Sequence, residues 1–441
     1  MNPRSRSSVR SPSLYHKQLL HAITRHWPAR GLPLLSGDRR QRWTDRMLAM
    51  AAVLMCWTAT ASSLREAFEV ARGGVVGMYE SRRRPGRSWE GFWAALGKRS
   101  EALLTRLKEA LRASVPRQAG SQWSWRNWVV LAADGSRIDC PRTAANQEAF
   151  GCAGRSKTGP QQYLTTLFHV ASGLVWDWTV GRGDASEREQ LRTMVKDLPR
   201  PTLLLLDAGF SGYDLLRELT AAGHGVIVRV GANVHLLRRL GWTVRESSGI
   251  VYLWPTAHRR QPPLILRQVT IPGGRGKGRM CLLTSELSTR RLSDEEVAGW
   301  YRQRWQVEVH YRGLKQTLGK RKMLSGTAAS ARVELQWAVL GLALPGLLAR
   351  ASRPSPQACW SVAGALRVVR QALRGGRAAR GRLRRQLRAA VVDSYRRPGP
   401  KRARDWPHKK QDRPCGYPKI RTATGQEVRL AKALREASIR N

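Results

Sequence analysis

The chain has 441 residues, long enough for two or three domains with cores of their own. Its 78 Lys and Arg residues outnumber its 31 Asp and Glu residues, and the net charge of +47 predicts a polyanionic partner, with nucleic acid favoured over an acidic membrane surface. The 6 cysteines are scattered, and the N-terminus lacks the apolar core of a signal peptide. These features argue against a disulfide framework or a zinc finger and favour a reducing, cytoplasmic compartment.

The N-terminal quarter is predicted to be helical. Residues 1–13 are rich in Ser, Arg and Pro, and we expect a disordered tail there. Over residues 14–120, apolar clusters alternate with Gly- and Pro-containing breaks. This region is predicted to be a helical DNA-binding domain, and a packing subdomain without a DNA role is the alternative that the sequence leaves open.

Two uncharged segments raise the question of a membrane. Residues 47–64 are diluted by Ala, Thr and Ser, and residues 335–349 contain Pro345. Both are near or below the ~20 apolar residues that a membrane span needs. They are therefore predicted to be buried helices, and no membrane partner is expected.

Residues 121–230 alternate between strand-like and helix-like segments. The predicted elements are, in order, strands at 128–133, 164–170 and 174–180, a helix at 187–198, a strand at 202–206, a helix at 212–222 and a strand at 225–230. The first of these strands ends at Asp134, and the continuous apolar run 202–206 ends at Asp207. This order predicts an α/β domain with a mixed sheet.

Residues 231–290 consist of short strand-like runs, at 242–244, 251–254, 264–271 and 280–284, between Gly- and Pro-rich turns, which predicts a β-rich segment. Its glycine-rich stretch 272–278 lacks the Ser or Thr and the helix that follow the lysine of a phosphate-binding loop, so it is interpreted as a surface hairpin loop. Ser293 and Glu296 form a capping-box pattern that predicts the start of a helix.

The C-terminal region, residues 353–441, is strongly basic, with 24 Lys and Arg residues against 5 Asp and Glu residues. Its final stretch has little apolar periodicity. This pattern is typical of a solvated tail with nonspecific affinity for DNA.

Three carboxylates from separate elements are candidates for one site. Asp134 and Asp207 follow predicted strands, where α/β sheets place ligands, and Glu308 lies on a later predicted helix. Oxygen ligands of this kind suit Mg²⁺, and two such ions can promote cleavage of a phosphodiester. Together with the basic charge, this set predicts a DNA-processing site.

Glu308 also belongs to a group of four residues on one predicted helix. Tyr301, Arg304, Glu308 and Lys315 are spaced by 3, 4 and 7 residues, which places them on one helical face. Taken alone, the group has two interpretations. It is either ordinary charge pairing between residues four apart or a metal-binding acid held beside DNA phosphates.

With these segments in place, the chain resembles the cut-and-paste DDE transposases of the insertion-sequence-four class. The likeness is carried by the segments around Asp134 and Asp207 and by the spacing Tyr-x2-Arg-x3-Glu-x6-Lys over 301–315. It implies an α/β, RNase H-like catalytic domain with a mixed sheet, formed by residues 121–230 and 291–352. The β-rich residues 231–290 would interrupt this domain as an insertion, between a helical N-terminal domain and a basic C-terminal tail.

The resemblance also implies roles for the site residues. Asp134, Asp207 and Glu308 would be the catalytic metal ligands, for two Mg²⁺ ions with Mn²⁺ as a substitute. Tyr301 and Arg304 would contact phosphates of the transposon end, and Lys315 would hold the terminal DNA. The family's insertion can also supply a tryptophan that stacks on a flipped base. Trp242 and Trp254 are the candidates for that role, and the alternative for each is an aromatic packed in the insertion's core.

Other acids and histidines near these segments are interpreted as structural. Asp139 has an odd offset from Asp134, which places it on the opposite face of an extended strand. Asp184 is expected near the start of the helix that precedes the second aspartate strand. His169, inside a strand run, and His310, on the signature helix, have no partner that suggests a general base.

The sequence therefore predicts a transposase that cleaves transposon ends in double-stranded DNA bearing terminal inverted repeats. The freed 3′-hydroxyl would then attack target DNA, and the resemblance implies a homodimer in the synaptic complex. A catalytically inactive DNA-binding protein derived from a transposase is one alternative. A nuclease of the same fold that never joins strands is the other.

Overall fold

The computed structural model describes most of the chain between residues 14 and 440. The described ranges are 14–27, 42–58, 63–79, 84–152, 159–243, 249–272, 278–353, 359–374, 382–392 and 416–440. The tail predicted at residues 1–13 and the centre of the glycine-rich stretch lie outside them.

Helices and strands alternate only in the middle of the chain. The helices are α1 (Leu14–Thr24), α2 (Asp45–Trp57), α3 (Leu64–Met78), α4 (Trp89–Ala119), α5 (Ala144–Phe150), α6 (Glu187–Val195), α7 (Tyr213–Ala221), α8 (Asp294–Gln303), α9 (Trp305–Arg312), α10 (Ala328–Ser352), α11 (Val362–Arg374), α12 (Leu383–Arg388) and α13 (Gly425–Arg440). The strands are β1 (Val129–Asp139), β2 (Gln161–His169), β3 (Leu174–Arg182), β4 (Thr202–Leu206), β5 (Gly225–Val230), β6 (His235–Arg238), β7 (Ile250–Leu253), β8 (Leu264–Pro272), β9 (Arg279–Thr284) and β10 (Lys419–Thr422).

One mixed sheet organises the fold. Its strand order is β10-β6-β7-β8-β9-β5-β4-β1-β2-β3. Strand β1 pairs antiparallel with β2 and parallel with β4, and β4 pairs parallel with β5. The predicted α/β class with a mixed sheet is therefore confirmed.

The strands predicted at 164–170 and 174–180 are present as β2 and β3, which pair antiparallel, whereas β1 differs from its prediction. We expected β1 to end at Asp134, but it continues to Asp139 because its antiparallel pairing with β2 extends from Leu131↔His169 to Asp139↔Gln161. Its parallel pairing with β4 ends at Ala133↔Leu206. Asp134 therefore lies where one neighbouring strand stops rather than where β1 stops.

The β-rich residues 231–290 are an extension of the same sheet. Strand β9 pairs antiparallel with both β5 and β8, so the hydrogen-bond ladder runs without a gap from the central strands into this region. The strand expected at residues 242–244 is not present at Trp242 and Thr243, which precede residues outside the description. The other expected strands correspond to β7, β8 and β9.

The N-terminal helices share one hydrophobic core with the sheet. Helix α2 crosses α10 closely, because a side chain at Gly341 would collide with Cys56 at 2.6 Å, and the Trp57 indole donates to the Gly341 carbonyl at 2.6 Å. In the same way, Lys108 and Arg112 of α4 both pair with the buried Asp177 of β3. The helical region is thus packed tightly against the rest of the fold.

Helix α10 matters for the membrane question. Within the described part of the chain, it is the one helix long and apolar enough to cross a membrane, and 89% of its apolar window is buried inside the protein. Such burial is typical of a core helix.

The C-terminal region contains folded elements, which corrects the expectation of a tail over the parts that the structure describes. Helix α11 buries Leu366, Val369 and Leu373 on one face. Arg367 and Arg374 are exposed, whereas Arg370 donates to the Trp57 and Thr317 carbonyls. Further along, β10 adds to the sheet edge in parallel with β6. The arginine-rich composition concealed this amphipathic pattern.

Candidate active site

Register places the first two acids side by side. Ala133 of β1 is paired with Leu206 of β4, so the residues that follow them, Asp134 and Asp207, occupy neighbouring positions on adjacent parallel strands. Adjacent strands lie about 4.8 Å apart. Strand β4 is buried at all five positions, and this apolar strand carries Asp207 to the edge of the core.

The segment that carries the four-residue group is less regular than predicted. The predicted capping box is present, because the Ser293 hydroxyl accepts from the Glu296 amide and the Glu296 carboxylate accepts from the Ser293 amide. The segment breaks at Arg304, between α8 and α9, and ends in a π-helical turn, Gly313–Thr317. The single helical face expected from the spacing is therefore divided over three pieces.

Arg304 and Tyr301 connect the three acids. The Arg304 guanidinium donates to Glu308 Oε1 at 2.9 Å and lies 3.9 Å from Asp134 Oδ2. The Tyr301 hydroxyl donates to Asp207 Oδ1 at 3.3 Å. Both Tyr301 and Arg304 are less than a tenth exposed. The expected charge pair between Arg304 and Glu308 is present. Because Arg304 also approaches Asp134, it links strand β1 to helix α9 at this cluster of acids.

The cluster perturbs its own ionisation. Burial raises the pKa of Asp134 to about 7, the Arg304 charge and the Gly135 amide oppose this rise, and the nearby carboxylates of Glu308 and Asp207 add to it. Burial alone would lower the pKa of Arg304, but Tyr301 and the three acids hold it above its usual value. The site is thus a half-buried concentration of negative charge that the Arg304 guanidinium partly compensates.

Lys315 lies on the π-helical turn at the edge of this cluster. Burial lowers the pKa of its ammonium group, while Asp139 and Asp134 act in the opposite direction. The lysine is therefore close enough to feel the charge of Asp134 without a direct ion pair to it. Turns of this π type are frequent at functional sites.

The donor set of the cluster suits a hard divalent cation. Asp134, Asp207 and Glu308 offer only carboxylate oxygens, which Mg²⁺ and Mn²⁺ prefer. Among the residues that the structure describes, no three His, Cys, Asp or Glu side chains are already arranged closely enough to hold a metal ion. Arg304 lies between Asp134 and Glu308, so closing the acids around a cation requires this guanidinium to shift.

Tyr311 was not predicted from the sequence. This buried tyrosine lies one turn beyond Glu308 on α9, and its hydroxyl donates to the Asp134 carbonyl at 2.6 Å. It also lies 3.1 Å from the Leu164 carbonyl of β2. Tyr311 thereby fixes the helix that carries Glu308 against the strand that carries Asp134. No spacing in the sequence could reveal it, since its partner is 177 residues away.

Tyr163 and Glu187 form a hydrogen-bonded pair between the segments that carry Asp134 and Asp207. The Tyr163 hydroxyl donates to Glu187 at the start of α6. A side chain at Gly135 would collide with the Tyr163 ring and hydroxyl, and one at Gly209 would meet Glu187 Oε2 at 2.5 Å. The two glycines, one directly after Asp134 and the other two residues after Asp207, therefore leave the space that this pair fills. Their closeness to the aspartates in the sequence was the available signal.

The structure gives the other acids and His169 different partners. Asp139 accepts from the Gln161 amide at 2.7 Å, and Asp184 pairs with Arg182 at 3.0 Å on the surface. Ser186, rather than Asp184, occupies the cap position of α6. His169 is buried and bonded to Ser172 and to the Trp123 carbonyl, and burial lowers its pKa to about 4.

Neither tryptophan of residues 231–290 is freely exposed. Trp254 is 2% exposed, donates to the His258 and Gln261 carbonyls, and carries Arg259 over its ring at 4.4 Å. Trp242 is half-buried against the same small cluster. The packed-aromatic alternative therefore describes Trp254, and Trp242 retains some accessible surface.

Comparison with known proteins gives two sequence matches. Residues 127–344 match the family described as Transposase DDE domain. The chain is 29% identical over 231 residues to the transposase InsG for insertion sequence element IS4 of Escherichia coli (strain K12), a match that covers 49% of this chain and 51% of that protein. The chain thus spans about half the length of this curated relative.

A structural comparison gives a weaker likeness. The piggyBac transposase in a synaptic complex with hairpin DNA matches over 91% of this chain and 89% of that chain, with 12% identity and a TM-score of 0.40. That score is too low to support an argument about fold. The likeness to transposases therefore depends on the two sequence matches, one to a Transposase DDE domain over residues 127–344 and one to an IS4 transposase over 231 residues.

Proposed function

We propose that this protein is a transposase that cuts the DNA ends of a mobile element and joins them to target DNA. The observation that carries the proposal is the convergence of Asp134, Asp207 and Glu308 through Arg304 and Tyr301. The net charge of +47 supports DNA as the substrate, because long-range attraction to phosphate is its direct consequence.

An RNase H-like catalytic domain belongs to this proposal. Support comes from the five central strands, ordered β3-β2-β1-β4-β5 with an antiparallel half and a parallel half. In this arrangement residues 121–230 and 291–352 form the catalytic domain, and residues 231–290 extend its sheet. Residues 14–120 would bind the transposon end, and the basic residues 353–441 would add attraction to DNA phosphates.

In the proposed reaction the three acids hold divalent cations, Mg²⁺ or Mn²⁺, and we propose two. Bound there, such ions supply activation of the attacking oxygen and stabilisation of the leaving one. Tyr301, Arg304 and Lys315 place donors beside the acids, where they would bind the phosphates next to the bond that breaks. Trp242 would contact DNA bases through its accessible surface.

The proposed partners are double-stranded DNA with terminal inverted repeats, target DNA, and a second copy of the chain in the synaptic complex. The proposed location is the cytoplasm, on the bacterial nucleoid. The buried α10 is consistent with a protein that acts away from membranes.

The decisive experiment incubates the full chain and an Asp207→Asn variant with DNA that carries the inverted repeats flanking the reading frame. With Mg²⁺ we expect nicked ends and strand-transfer products from the unmodified chain. The variant should bind the ends and leave them uncut. Binding without cleavage by the unmodified chain would indicate an inactive DNA-binding protein. Cleavage without joined products would indicate a nuclease.

A further inference from the structure

Glu334 is a buried carboxylate on α10 that accepts hydrogen bonds from four donors of one turn. Its side chain is 3% exposed. One carboxylate oxygen accepts from the Lys320 ammonium at 2.9 Å. The other oxygen accepts from the Leu324 and Ser325 amides and from the Ser325 hydroxyl, at 2.9 to 3.0 Å. A buried charge is costly unless it is paired and hydrogen-bonded, and these contacts meet both conditions.

The turn that supplies these donors folds back on the π-helical turn that carries Lys315. We call residues 318–325 the anchored turn. Its Leu318 amide donates to the Gly313 carbonyl at 2.8 Å. Gly319 permits the reversal with a φ of +79°, a conformation that glycine adopts readily at helix ends. A shift of the anchored turn would therefore move the end of the π-helical turn and the Lys315 ammonium with it.

The other side of the anchored turn pairs with the end of strand β1. The Asp139 amide donates to the Arg321 carbonyl at 3.2 Å, and the Met323 amide donates to the Asp139 carbonyl at 2.8 Å. The same strand carries Asp134. The anchored turn thus connects the strand of the first acid to the segment of Lys315.

Charge explains why this turn needs a carboxylate. It carries three successive cations, Lys320, Arg321 and Lys322, beside the half-buried Lys315. Burial lowers the pKa of Lys315, and the nearby charge of Arg321 adds to this lowering. Like charges repel, and the ion pair between Lys320 and Glu334 offsets part of this repulsion. Without the carboxylate, we expect the turn to relax and Lys315 to move.

We propose that Glu334 is a positioning residue for Lys315, which holds the ammonium beside the acids by fixing the anchored turn. This inference rests on the proposed function, in which Lys315 binds the DNA that is cut. Glu334 is too deeply buried to contact DNA, so it acts only through the turn. A carboxylate that merely stabilised the fold would show no such dependence on Lys315.

The test is a double-mutant cycle between Glu334→Gln and Lys315→Ala in the full chain. The amide offers one oxygen where the carboxylate offers two, so its NH2 group would face either the Lys320 ammonium or the donors of Ser325. In single-turnover cleavage of a duplex that carries the flanking inverted repeat, Glu334→Gln should lower the rate by about 10- to 100-fold, since a displacement of about 1 Å can have this effect. In the Lys315→Ala background the same substitution should cause no further decrease.

Affinity for the uncut end, measured without Mg²⁺, gives a second cycle that does not depend on residual cleavage. Each single variant should bind more weakly than the unmodified chain, and the double variant should bind as Lys315→Ala does. The inference is overturned if Glu334→Gln leaves cleavage and affinity unchanged. It is also overturned if the substitution lowers them by the same factor with and without Lys315.

Ser325→Ala is a milder variant for the case that Glu334→Gln does not fold, because it removes one of the four donors and keeps the charge. It should lower the cleavage rate less, and again only when Lys315 is present. An equal fall in both backgrounds would count against the inference.

Asp177→Asn is the matched control. Asp177 is also a buried carboxylate, paired with Lys108 and Arg112, and it lies on β3, two strands away from β1. Its replacement should lower the melting temperature and leave cleavage unchanged. If the unmodified chain neither binds nor cuts the ends, the proposed function itself fails, whereas independent effects of Glu334 and Lys315 in an active chain overturn only this inference.

Discussion

The Tyr311 hydroxyl donates a hydrogen bond of 2.6 Å to the main-chain carbonyl of Asp134. This bond joins the strand that carries one acid to the helix that carries another, since Glu308 lies three residues before Tyr311. Neither acid contacts the other directly, so their alignment depends on such links between elements. Tyr311 therefore holds these two elements together, and its hydroxyl takes no part in the proposed reaction.

Tyr311→Phe should therefore lower the rate of DNA cleavage clearly while it reduces the free energy of unfolding only modestly. Removing the hydroxyl leaves the Asp134 and Leu164 carbonyls with one partner fewer each, at a cost of about 1–3 kcal/mol in the free energy of unfolding. We expect a clear fall in the rate of DNA cleavage with end binding retained, measured in single-turnover assays beside thermal unfolding.

Tyr213→Phe is the matched control for this experiment. Tyr213 is also buried, and its hydroxyl donates to the Pro262 carbonyl at 2.5 Å, away from the acids. A similar loss of stability with normal cleavage is expected there. Equal cleavage by the Tyr213 and Tyr311 variants would show that Tyr311 does not position the acids.

Asp134→Asn should stabilise the protein at pH 8 when divalent cations are absent. Burial raises the pKa of Asp134 to about 7 in the folded chain, from an ordinary value of 3.8. The folded state then holds the proton more tightly than the unfolded state, so this stabilising contribution is present at low pH and lost between about pH 4 and pH 7. The neutral amide avoids that loss, on the order of 1–4 kcal/mol.

Melting temperatures at pH 5 and pH 8 test the predicted stabilisation by Asp134→Asn, with Asp184→Asn as the control. Asp184 is exposed, and its bond from Arg182 lowers its pKa, so its replacement should not stabilise the chain at pH 8. Mg²⁺ should raise the melting temperature of the unmodified chain but not that of Asp134→Asn. A variant less stable than the unmodified chain at pH 8 would contradict the prediction.

Gly135→Ala should destabilise the chain although the change is one methyl group. The added Cβ would collide with the Tyr163 ring, which is held by its bond to Glu187. Overpacking of this kind costs about 1–3 kcal/mol. Gly97→Ala is the control, because no atom lies within 4 Å of its added Cβ inside α4 and alanine favours a helix. We expect melting temperatures to fall for the first variant and to hold or rise for the second.

Local patterns in the sequence predicted much of this site. The apolar run before Asp207 and the Ser293–Glu296 capping box depend on neighbouring residues. Both could therefore be predicted from the sequence. The prediction that Asp134 and Asp207 share one site used the rule that α/β sheets place ligands at strand ends, although β1 itself continues past Asp134.

Other features depend on residues distant in the chain. The extension of β1 to Asp139 is set by its pairing with β2, and the bond from Tyr163 to Glu187 is set by packing between β2 and α6. The addition of β10 beside β6 joins segments about 180 residues apart, which no periodicity encodes. The high arginine content around α11 also led to a wrong prediction, that of a solvated tail, although one face of this helix is buried.

Glu427→Gln should loosen the C-terminal segment from the extended sheet. Glu427 accepts from Arg421 at 2.7 Å within the segment and from Arg259 at 2.6 Å on residues 231–290. The bonds from Arg421 lower the pKa of Glu427 to about 2, from 4.5. This contribution to stability is therefore present above about pH 4.5 and is lost as the pH falls towards 2.

Hydrogen exchange of the β10 amides at pH 7 measures the effect, and exchange should be faster in Glu427→Gln than in the unmodified chain. Glu436→Gln is the control, since Glu436 is exposed on the same helix, α13. Because a neutral amide still accepts a hydrogen bond but carries no charge, faster exchange would isolate the ionic part of the Arg259 and Arg421 contacts. Unchanged exchange in both variants would mean that strand pairing with β6 alone holds β10 in place.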